Sequence, residues 1–332
     1  MPAPPVPSAT RVVIIGAGAI GSHLAASLRK NTRVLIIDPC PHTRAAFAAR
    51  GVEAISPAEI GEWGVADVVV LATSASVAAR AVTHVPKSIP VICLANGLIP
   101  VLSTTRNGSL SHGVVEFAVH CSEPGIAMRT RDGWLTLQRD SPEDATQRLA
   151  AALDPQLQRV RFTDHIDAHR HSKLMLNSSL DPVAAAIGGT IGDVFRATES
   201  FRAFRTLLGE SLRVARAAGW RLTAIQGVRP DLLHAIFRTP GIGALAARSA
   251  AKQAATVSST LAREVARGEL GEADHLSGAI IREGARLGVP TPAHMRAMDV
   301  LRRIAAHGGS EGSGGAGARG GRPGLARELL QR

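Results

Sequence analysis

The spacing of apolar residues along this chain changes once, near residue 164. Up to that point, short runs of β-branched and aliphatic residues alternate with alanine-rich helical segments. Continuous apolar runs separated by helices are typical of a parallel sheet that is covered on both faces. The predicted strands are Val12–Ile15, Val34–Ile37, Val68–Leu71, Val91–Leu94, Val114–Val119, Trp134–Gln138 and Val160–Phe162.

Helical periodicity dominates the remainder of the chain, and Gly288 with Pro290 and Pro292 forms a stop signal after its last clear helix. The pattern predicts an α/β domain over residues 11–164, with a doubly wound, mostly parallel sheet. An all-α domain is predicted over residues 165–306, with the active site in the cleft between the two. The clearest predicted helices are Ile166–Ala186, Glu199–Ala218, Pro230–Phe237, Ser249–Ala266 and Glu272–Leu287.

Composition limits the classes of partner. Residues 1–10 and 307–332 are predicted to be a disordered leader and a Gly/Arg-rich flexible tail. Aromatic residues make up only 3% of the 332 residues, which argues against an RNA-binding platform of stacking side chains. The net charge of +11 comes mainly from scattered arginines, without a long basic run. We therefore expect no nucleic acid partner, but a field that attracts an anionic cofactor or substrate.

Cysteine and hydropathy patterns indicate a cytoplasmic protein. The three cysteines are far apart and odd in number, as expected for reduced thiols. The N-terminus lacks the features of a signal peptide, and the longest apolar stretch, Leu174–Phe195, is interrupted by Asp, Pro and Gly, so no membrane span is predicted. The histidines near the predicted domain boundary have no acidic partner at ligand spacing, so no metal site is expected.

The first predicted strand leads directly into a G-x-G-x-x-G sequence, Gly16-Ala17-Gly18-Ala19-Ile20-Gly21, which opens an alanine-rich helix. In this context the motif predicts a Rossmann-type dinucleotide-binding domain; otherwise it is an ordinary glycine turn. Gly16 would allow the tight turn, Gly18 the approach of the pyrophosphate, and Gly21 close packing of helix on strand. The positive N-terminal end of the helix would then hold the phosphates.

The second strand ends at Asp38, where a carboxylate can accept a hydrogen bond from the ribose 2′-hydroxyl. A carboxylate repels a 2′-phosphate, so this position favours NADH over NADPH. Arg44 is close enough in sequence to weaken that preference. The alternative is that Asp38 only caps the turn before Pro39.

Three polar residues share one face of the first long helix after residue 164. Lys173, Asn177 and Asp181 are spaced i, i+4, i+8, and aliphatic residues cover the other sides. A lysine in such surroundings must be paired or functional, and a desolvated ammonium suits a general acid. The alternative is a lysine that extends along the helix edge to water. Pro182 also frees the backbone carbonyl of Ser178.

These segments together resemble the ketopantoate reductases (2-dehydropantoate 2-reductases) over about residues 11–305. The resemblance adds Leu94-Ala-Asn96-Gly97 to the glycine motif and to the Lys173–Pro182 segment. It is completed by Val257-Ser258-Ser259-Thr-Leu, followed by Gly271-Glu272-Ala-Asp274 and Ser277-Gly278. It implies a Rossmann domain, a helical domain and reduction of a 2-oxo acid with NADPH.

The resemblance also implies a role for each matched residue. Lys173 corresponds to the proton-donating lysine, and Glu272 to the glutamate that accompanies it. Asn177 corresponds to a substrate-binding asparagine, and Asn96 to the residue near the nicotinamide and the substrate. Ser259, or alternatively Ser258, corresponds to the serine that contacts the substrate carboxylate.

Three departures limit this correspondence. Asp181 replaces a second asparagine, and would repel an anionic substrate or favour one that carries an amine or several hydroxyls. The segment after the third predicted strand, Leu71-Ala72-Thr73-Ser74, lacks the family's lysine. Asp38-Pro39 stands where the family offers an arginine for the 2′-phosphate.

The sequence therefore predicts a cytoplasmic oxidoreductase of pantothenate biosynthesis that transfers hydride from NAD(P)H to ketopantoate, giving pantoate. One alternative is a relative that uses Lys173 on a different carbonyl or imine in specialised metabolism. Another is a non-catalytic dinucleotide sensor. The substrate is expected to be a small molecule, and assembly as a homodimer is left open.

Overall fold

The computed structural model describes residues 10–59, 66–100, 102, 109–308 and 328–329. Contacts within the chain divide it into two units, one of residues 1–95 and 99–166, the other of residues 96–98 and 167–332. Residues 96–98 thus group with the second unit, although they fall inside the predicted 11–164 domain. Most of the predicted leader and tail lies outside the described residues. The first two residues of the predicted tail, 307 and 308, belong to a helix.

Within the described part of the first unit, eight strands form one sheet in the order β10-β9-β6-β5-β4-β1-β2-β3. Every neighbouring pair is parallel except β6 and β9. The predicted α/β class with a mostly parallel sheet is therefore confirmed. The strands are β1 (Arg11–Ile15), β2 (Arg33–Ile37), β3 (Glu53–Ile55), β4 (Val68–Leu71), β5 (Val91–Cys93), β6 (Leu110–Val115), β9 (Leu135–Gln138) and β10 (Val160–Thr163).

Both faces of this sheet are buried, as the continuous apolar runs predicted. In β1, Val12 and Ile14 pack into one core, whereas Val13 and Ile15 pack into another on the opposite face. Successive strand residues point to opposite faces, so each strand contributes to both layers. The described helices of the unit are α1 (Ala19–Ser27), α2 (Pro41–Ala48), α3 (Ala75–Ala81) and α4 (Ala145–Ala152).

The single strand predicted over Val114–Val119 is wrong. β6 ends at Val115, and the chain leaves the sheet to form a separate hairpin of β7 (Ala118–Glu123) and β8 (Ile126–Arg131). Glu116 lies at the break, where its buried carboxylate accepts hydrogen bonds from Thr136 Oγ1 at 2.6 Å and Arg161 Nη2 at 2.5 Å. These long-range bonds fix the position at which the strand ends.

The second unit is helical in its described residues, as predicted. The single helix predicted over Ser249–Ala266 is wrong, because it is broken between residues 253 and 260. Carbonyl groups at the break, of Ala254 and Val257, accept backbone N–H groups from residues 191 and 192. The helices are α5 (Ile166–Ile187), α6 (Ile191–Val194), α7 (Thr198–Ala217), α8 (Pro230–Arg238), α9 (Ile242–Gln253), α10 (Thr260–Ala266), α11 (Gly271–Leu287) and α12 (Pro292–Gly308).

α12 was not among the predicted helices. Gly288, in the left-handed conformation with φ 68°, ends α11 as predicted. Pro292, taken as part of the stop signal, is instead the first residue of the next helix, a position where its missing N–H costs nothing. No helix among the described residues has the length and apolarity needed to cross a membrane.

A buried polar network joins four helices of the second unit around His294. The imidazole is fully buried, with Nε2 2.9 Å from Ser211 Oγ and 3.1 Å from the carbonyl oxygen of Leu207. Its Nδ1 lies 3.3 Å from Ser277 Oγ. Ser211 Oγ lies 3.3 Å from Ser178 Oγ, which connects the network to α5. Polar groups buried in this way stabilise the unit only while they remain paired.

We expect the substitution His294→Leu to lower the free energy of unfolding by about 1–3 kcal/mol at neutral pH, because two serine hydroxyls lose their partner. Burial lowers the pKa of His294 from 6.5 to about 4. Between these values the unfolded chain binds a proton that the folded chain does not, so this part of the stability is lost as pH falls. In denaturant titrations, the difference in the free energy of unfolding between wild type and His294→Leu should therefore become smaller from pH 7 to pH 4.

The control is His307→Leu, on the exposed end of the same helix. The free energy of unfolding of His307→Leu should stay close to that of wild type at every pH. If the difference in this free energy between His294→Leu and wild type is constant from pH 7 to pH 4, the lowered pKa of His294 is contradicted.

Candidate active site

The glycine motif forms a tight turn between β1 and α1. Gly16 has a φ of +94°, and its N–H donates to the carbonyl oxygen of Ile37 at 2.9 Å. A Cβ at Gly16 would lie 2.9 Å from the carbonyl oxygen of Ala72, and one at Gly21 only 1.9 Å from that of Gly16. Neither position could carry a side chain, so both glycines are required by the turn itself.

Gly18 differs from the other two glycines of the motif. It is exposed at the N-cap of α1, and a Cβ there would have no heavy atom within 4 Å. The first N–H groups of α1, from Ala19 and Ile20 onward, have no acceptor within their own helix. A phosphate fits such an open helix N-terminus, because both its hydrogen-bond acceptors and its charge are matched. The residues present therefore fit the pyrophosphate of a dinucleotide.

Asp38 lies at the end of β2, half-buried, and its carboxylate is tied to the glycine turn. Oδ2 accepts the N–H of Ala17 at 2.8 Å, and Oδ1 accepts the N–H of Cys40 at 2.9 Å. The first bond holds the carboxylate beside the predicted phosphate cradle, and the second is the turn cap considered as the alternative role. The two roles are thus compatible, since each oxygen retains further acceptor capacity.

Arg44 reaches back to the same strand end. Its Nη1 donates to the carbonyl oxygens of Asp38 at 2.9 Å and Pro39 at 2.8 Å. A guanidinium and a carboxylate therefore lie together where a Rossmann domain distinguishes the two nicotinamide dinucleotides.

α5 carries the predicted catalytic face. Lys173, Asn177 and Asp181 are each half-buried and follow one another at single-turn spacing along the helix. Leu174 and Met175 point into the core of the unit, with exposures of 1% and 0%. The apolar side of α5 is thereby fixed, which sets the direction of the polar face.

The backbone of α5 is supported where Pro182 interrupts its hydrogen bonds. Pro182 cannot donate to the carbonyl of Ser178, as the sequence indicated. The Ser277 hydroxyl lies 3.5 Å from this carbonyl oxygen and belongs to the His294 network. The turn between Asn177 and Asp181 is thus supported by α11 and α12.

Ser259 and Ser258 lie in different environments. Ser259 is buried at the N-cap of α10, where its Oγ accepts the N–H of Ala262 at 3.2 Å. The same hydroxyl is hydrogen-bonded to Asp181 and, as the only hydrogen donor of the two, donates to the carboxylate. Ser258 is exposed. Of the two serines, Ser259 is the one that contacts the α5 face.

Glu272 begins α11 with a side chain that is 2% exposed. Its Oε1 accepts a hydrogen bond from Asn96 Nδ2 at 3.2 Å, so these two predicted residues meet. Gly97, with φ +86°, allows this approach, because a Cβ there would lie 2.4 Å from the carbonyl oxygen of His275. Oε2 of Glu272 is buried and has no hydrogen-bond partner among the described residues.

Glu264 is a member of the site that sequence reasoning missed. It is buried on α10, and its Oε2 accepts the backbone N–H of Glu272 at 2.8 Å. A glutamate on a short charged helix gives no local signal of such a contact. Only the meeting of α10 with the first turn of α11 reveals it.

Electrostatics couple these groups. Burial, followed by the charge of Asp181, raises the pKa of Glu272 from 4.5 to about 8. Burial likewise raises the pKa of Asp181 from 3.8 to about 6, against the hydrogen bond from Ser259 and the charge of Lys173. The Lys173 ammonium lowers the pKa of both carboxyls. The second unit therefore brings Lys173, Asp181, Glu272, Asn96 and Ser259 into one interacting group.

Comparison with known proteins places both parts of the chain. The family model "Ketopantoate reductase PanE/ApbA C terminal" matches residues 165–305. The model "NADP oxidoreductase coenzyme F420-dependent" matches residues 11–97. The 2-dehydropantoate 2-reductase of Streptococcus pyogenes serotype M18 (strain MGAS8232) is 22% identical over 303 residues, which cover 85% of this chain and 93% of that protein.

Solved structures share the fold. The PanE/ApbA family ketopantoate reductase from Ralstonia eutropha JMP134 is 25% identical, with a TM-score of 0.71 over 90% of this chain and 99% of that chain. D-mandelate dehydrogenase, solved with NADH and anilino(oxo)acetate, has a TM-score of 0.70 and covers 90% of this chain and 99% of its own. At 18% identity this is a likeness of fold alone. No group of three or more His, Cys, Asp or Glu residues that could hold a metal ion occurs in the described part of the chain.

The matches run through both the helix that carries Lys173 and the sheet that carries the glycine turn, and together they support the ketopantoate reductase family of NAD(P)-dependent oxidoreductases for this chain.

Proposed function

We propose that this protein reduces the carbonyl of a small 2-oxo acid to a 2-hydroxy acid, with ketopantoate to pantoate as the reference reaction. The observation that carries the proposal is the grouping of Lys173 with the half-buried carboxyl of Asp181 and the buried carboxyl of Glu272, beside a helix face that also presents Asn177. A reduced nicotinamide dinucleotide, when bound, supplies the hydride that adds to the carbonyl carbon.

Lys173 is the general acid in this proposal. Negative charge grows on the carbonyl oxygen as the carbonyl carbon is reduced, and an ammonium group stabilises that charge before giving it a proton. The nearby carboxyls hold the ammonium in place. Asn177 and the second amide hydrogen of Asn96 can orient the substrate, which lowers the entropic part of the barrier.

Three narrower expectations remain proposals. Ser259 or Ser258 would contact the substrate carboxylate, the cofactor would lie over Gly16–Gly21 with Asp38 at its ribose, and Asn96 would lie near the nicotinamide. Assembly as a homodimer and a cytoplasmic location stay predictions. The two alternative functions are reduction of a different carbonyl or imine, and dinucleotide sensing without catalysis. The first experiment below distinguishes them from 2-oxo acid reduction.

We expect Lys173→Ala to lower kcat for 2-oxo acid reduction by roughly 10²–10⁴-fold, because the developing oxyanion loses its proton donor. Cofactor affinity should change little. Oxidation of NADH and NADPH is followed by absorbance with ketopantoate and a panel of small 2-oxo acids. Lys252→Ala, on an exposed position of α9, is the matched control and should retain wild-type kcat. Wild-type protein that oxidises neither cofactor with any member of the panel would contradict the proposed function.

Asp38 is expected to favour NADH, whereas the family resemblance implies NADPH. Asp38→Asn removes the charge that repels a 2′-phosphate, and should raise the ratio of kcat/KM for NADPH over NADH by roughly tenfold. Arg44→Gln removes the guanidinium from the same strand end and should change the ratio in the opposite direction. An unchanged ratio in both variants would show that the end of β2 does not select the cofactor.

Glu272 is expected to make stability depend on pH. Because its pKa is raised to about 8 in the folded protein, the folded chain holds a proton that the unfolded chain releases above 4.5. The free energy of unfolding should therefore fall as pH rises from about 4.5 to about 8. Glu272→Gln should remove that part of the slope in denaturant titrations without cofactor. Glu269→Gln, at an exposed site, is the control and should keep the wild-type dependence of the free energy of unfolding on pH. Identical slopes for Glu272→Gln and wild type would contradict the raised pKa of a buried Glu272.

A further inference from the structure

Two side chains expected to contact the substrate, those of Ser259 and Asn96, already donate hydrogen bonds to carboxyl groups of the protein. The Ser259 hydroxyl donates to Asp181, and its oxygen accepts the N–H of Ala262. Asn96 Nδ2 donates to Glu272 Oε1 at 3.2 Å. These bonds engage the serine hydrogen and one amide hydrogen. The predicted substrate site therefore offers fewer hydrogen-bond donors than its residue types suggest.

Hydrogen-bond acceptors are in excess at the same place. The carboxyls of Asp181 and Glu264 both act on Glu272, and Lys173 is the cation that lowers the pKa of Asp181 and Glu272. Glu272 Oε2 is buried without a hydrogen-bond partner among the described residues, on a side chain that is only 2% exposed. A buried polar atom of this kind is stabilised by a ligand that brings a hydrogen-bond donor.

We propose that the preferred substrate is a 2-oxo acid whose side chain ends in a cationic nitrogen group, and that Asp181 binds this group. The inference rests on the proposed function and assigns Asp181 as the residue that selects among 2-oxo acids. Asp181 is suited to this role because it occupies the same helix face as Lys173, and because its carboxyl lies within reach of the Ser259 hydroxyl.

Ammonium and guanidinium groups satisfy this site in both charge and hydrogen bonding. A guanidinium carries five N–H donors and forms short, charge-assisted bonds to carboxylates. Its charge also offsets the negative charge that the substrate carboxylate adds beside Asp181 and Glu272. The reaction is unchanged: hydride adds to the C2 carbon, the carbonyl π bond breaks, and the oxygen takes a proton from Lys173.

The test compares two 2-oxo acids of matched length, cationic 5-guanidino-2-oxopentanoate and neutral-chain 2-oxooctanoate. For wild-type protein we expect kcat/KM for the cationic substrate to exceed that for the neutral one by roughly tenfold or more. Asp181→Asn keeps the size of the side chain but removes its charge. It should lower kcat/KM for the cationic substrate by roughly tenfold more than kcat/KM for 2-oxooctanoate, so that the ratio of the two falls.

The matched control is Asp274→Asn, two residues after Glu272 but on the exposed side of α11, where Asp274 pairs with Arg282 at 3.2 Å. It should preserve the wild-type ratio between the two substrates. A ratio that Asp181→Asn leaves unchanged overturns the proposal, as does a wild-type preference for 2-oxooctanoate.

Failure of this inference is distinguishable from failure of the proposed function. Reduction of ketopantoate or 2-oxooctanoate, without a preference for the guanidino acid, overturns the inference and leaves the reductase assignment standing. Reduction of no 2-oxo acid removes the reductase assignment. In that case calorimetric titration of the two matching 2-hydroxy acids decides: tighter binding of the cationic acid that Asp181→Asn abolishes supports selection by Asp181, and equal binding overturns it.

Discussion

The site depends on the burial of more carboxyl groups than one ammonium can neutralise. Asp181 and Glu272 come from two different helices and both interact with Lys173, and the carboxyl of Glu264, from a third helix, acts on Glu272. Removing carboxylates from water favours their neutral forms, so protons are retained in the folded protein that free side chains would release. Asp181 and Glu272 therefore form a coupled pair of acid groups near the lysine, and the protonation of each depends on the other.

The helix that carries Lys173 and Asp181 is supported by a buried polar network on its other side. The carbonyl that Pro182 leaves without a helical donor lies near Ser277, and Ser277 meets the buried imidazole of His294. The polar face of α5 is thus positioned by a network that no substrate touches. Rigid elements support a catalytic geometry better than loops do, because their packing restricts the side chains that they carry.

Much of the architecture could be predicted from the sequence, because burial on both faces of a sheet leaves a continuous apolar run. Short or polar strands were not predicted. The strand Glu53–Ile55 has only three residues, and the hairpin strands Ala118–Glu123 and Ile126–Arg131 have exposed or half-buried positions. The two wrongly merged elements end where distant groups bind the chain, at Glu116 and near Val257. Local periodicity carries no information about such bonds. For the same reason the face of Lys173, Asn177 and Asp181 could be predicted from spacing, whereas the contacts of Asp181 with Ser259 and of Glu272 with Glu264 could not.

The hydroxyl of Ser259 makes two interactions, and together they restrict which residues can replace it in evolution. One hydroxyl both begins α10, by accepting an N–H, and restrains a carboxylate, by donating to Asp181. Loss of a helix cap of this type costs about 0.5–2 kcal/mol. A lineage that drifts at position 259 therefore changes fold stability and ligand choice in a single mutational step, and threonine is the replacement that retains both bonds. Natural variation at this position should accordingly be narrow wherever residue 181 is acidic, and broader where it is not.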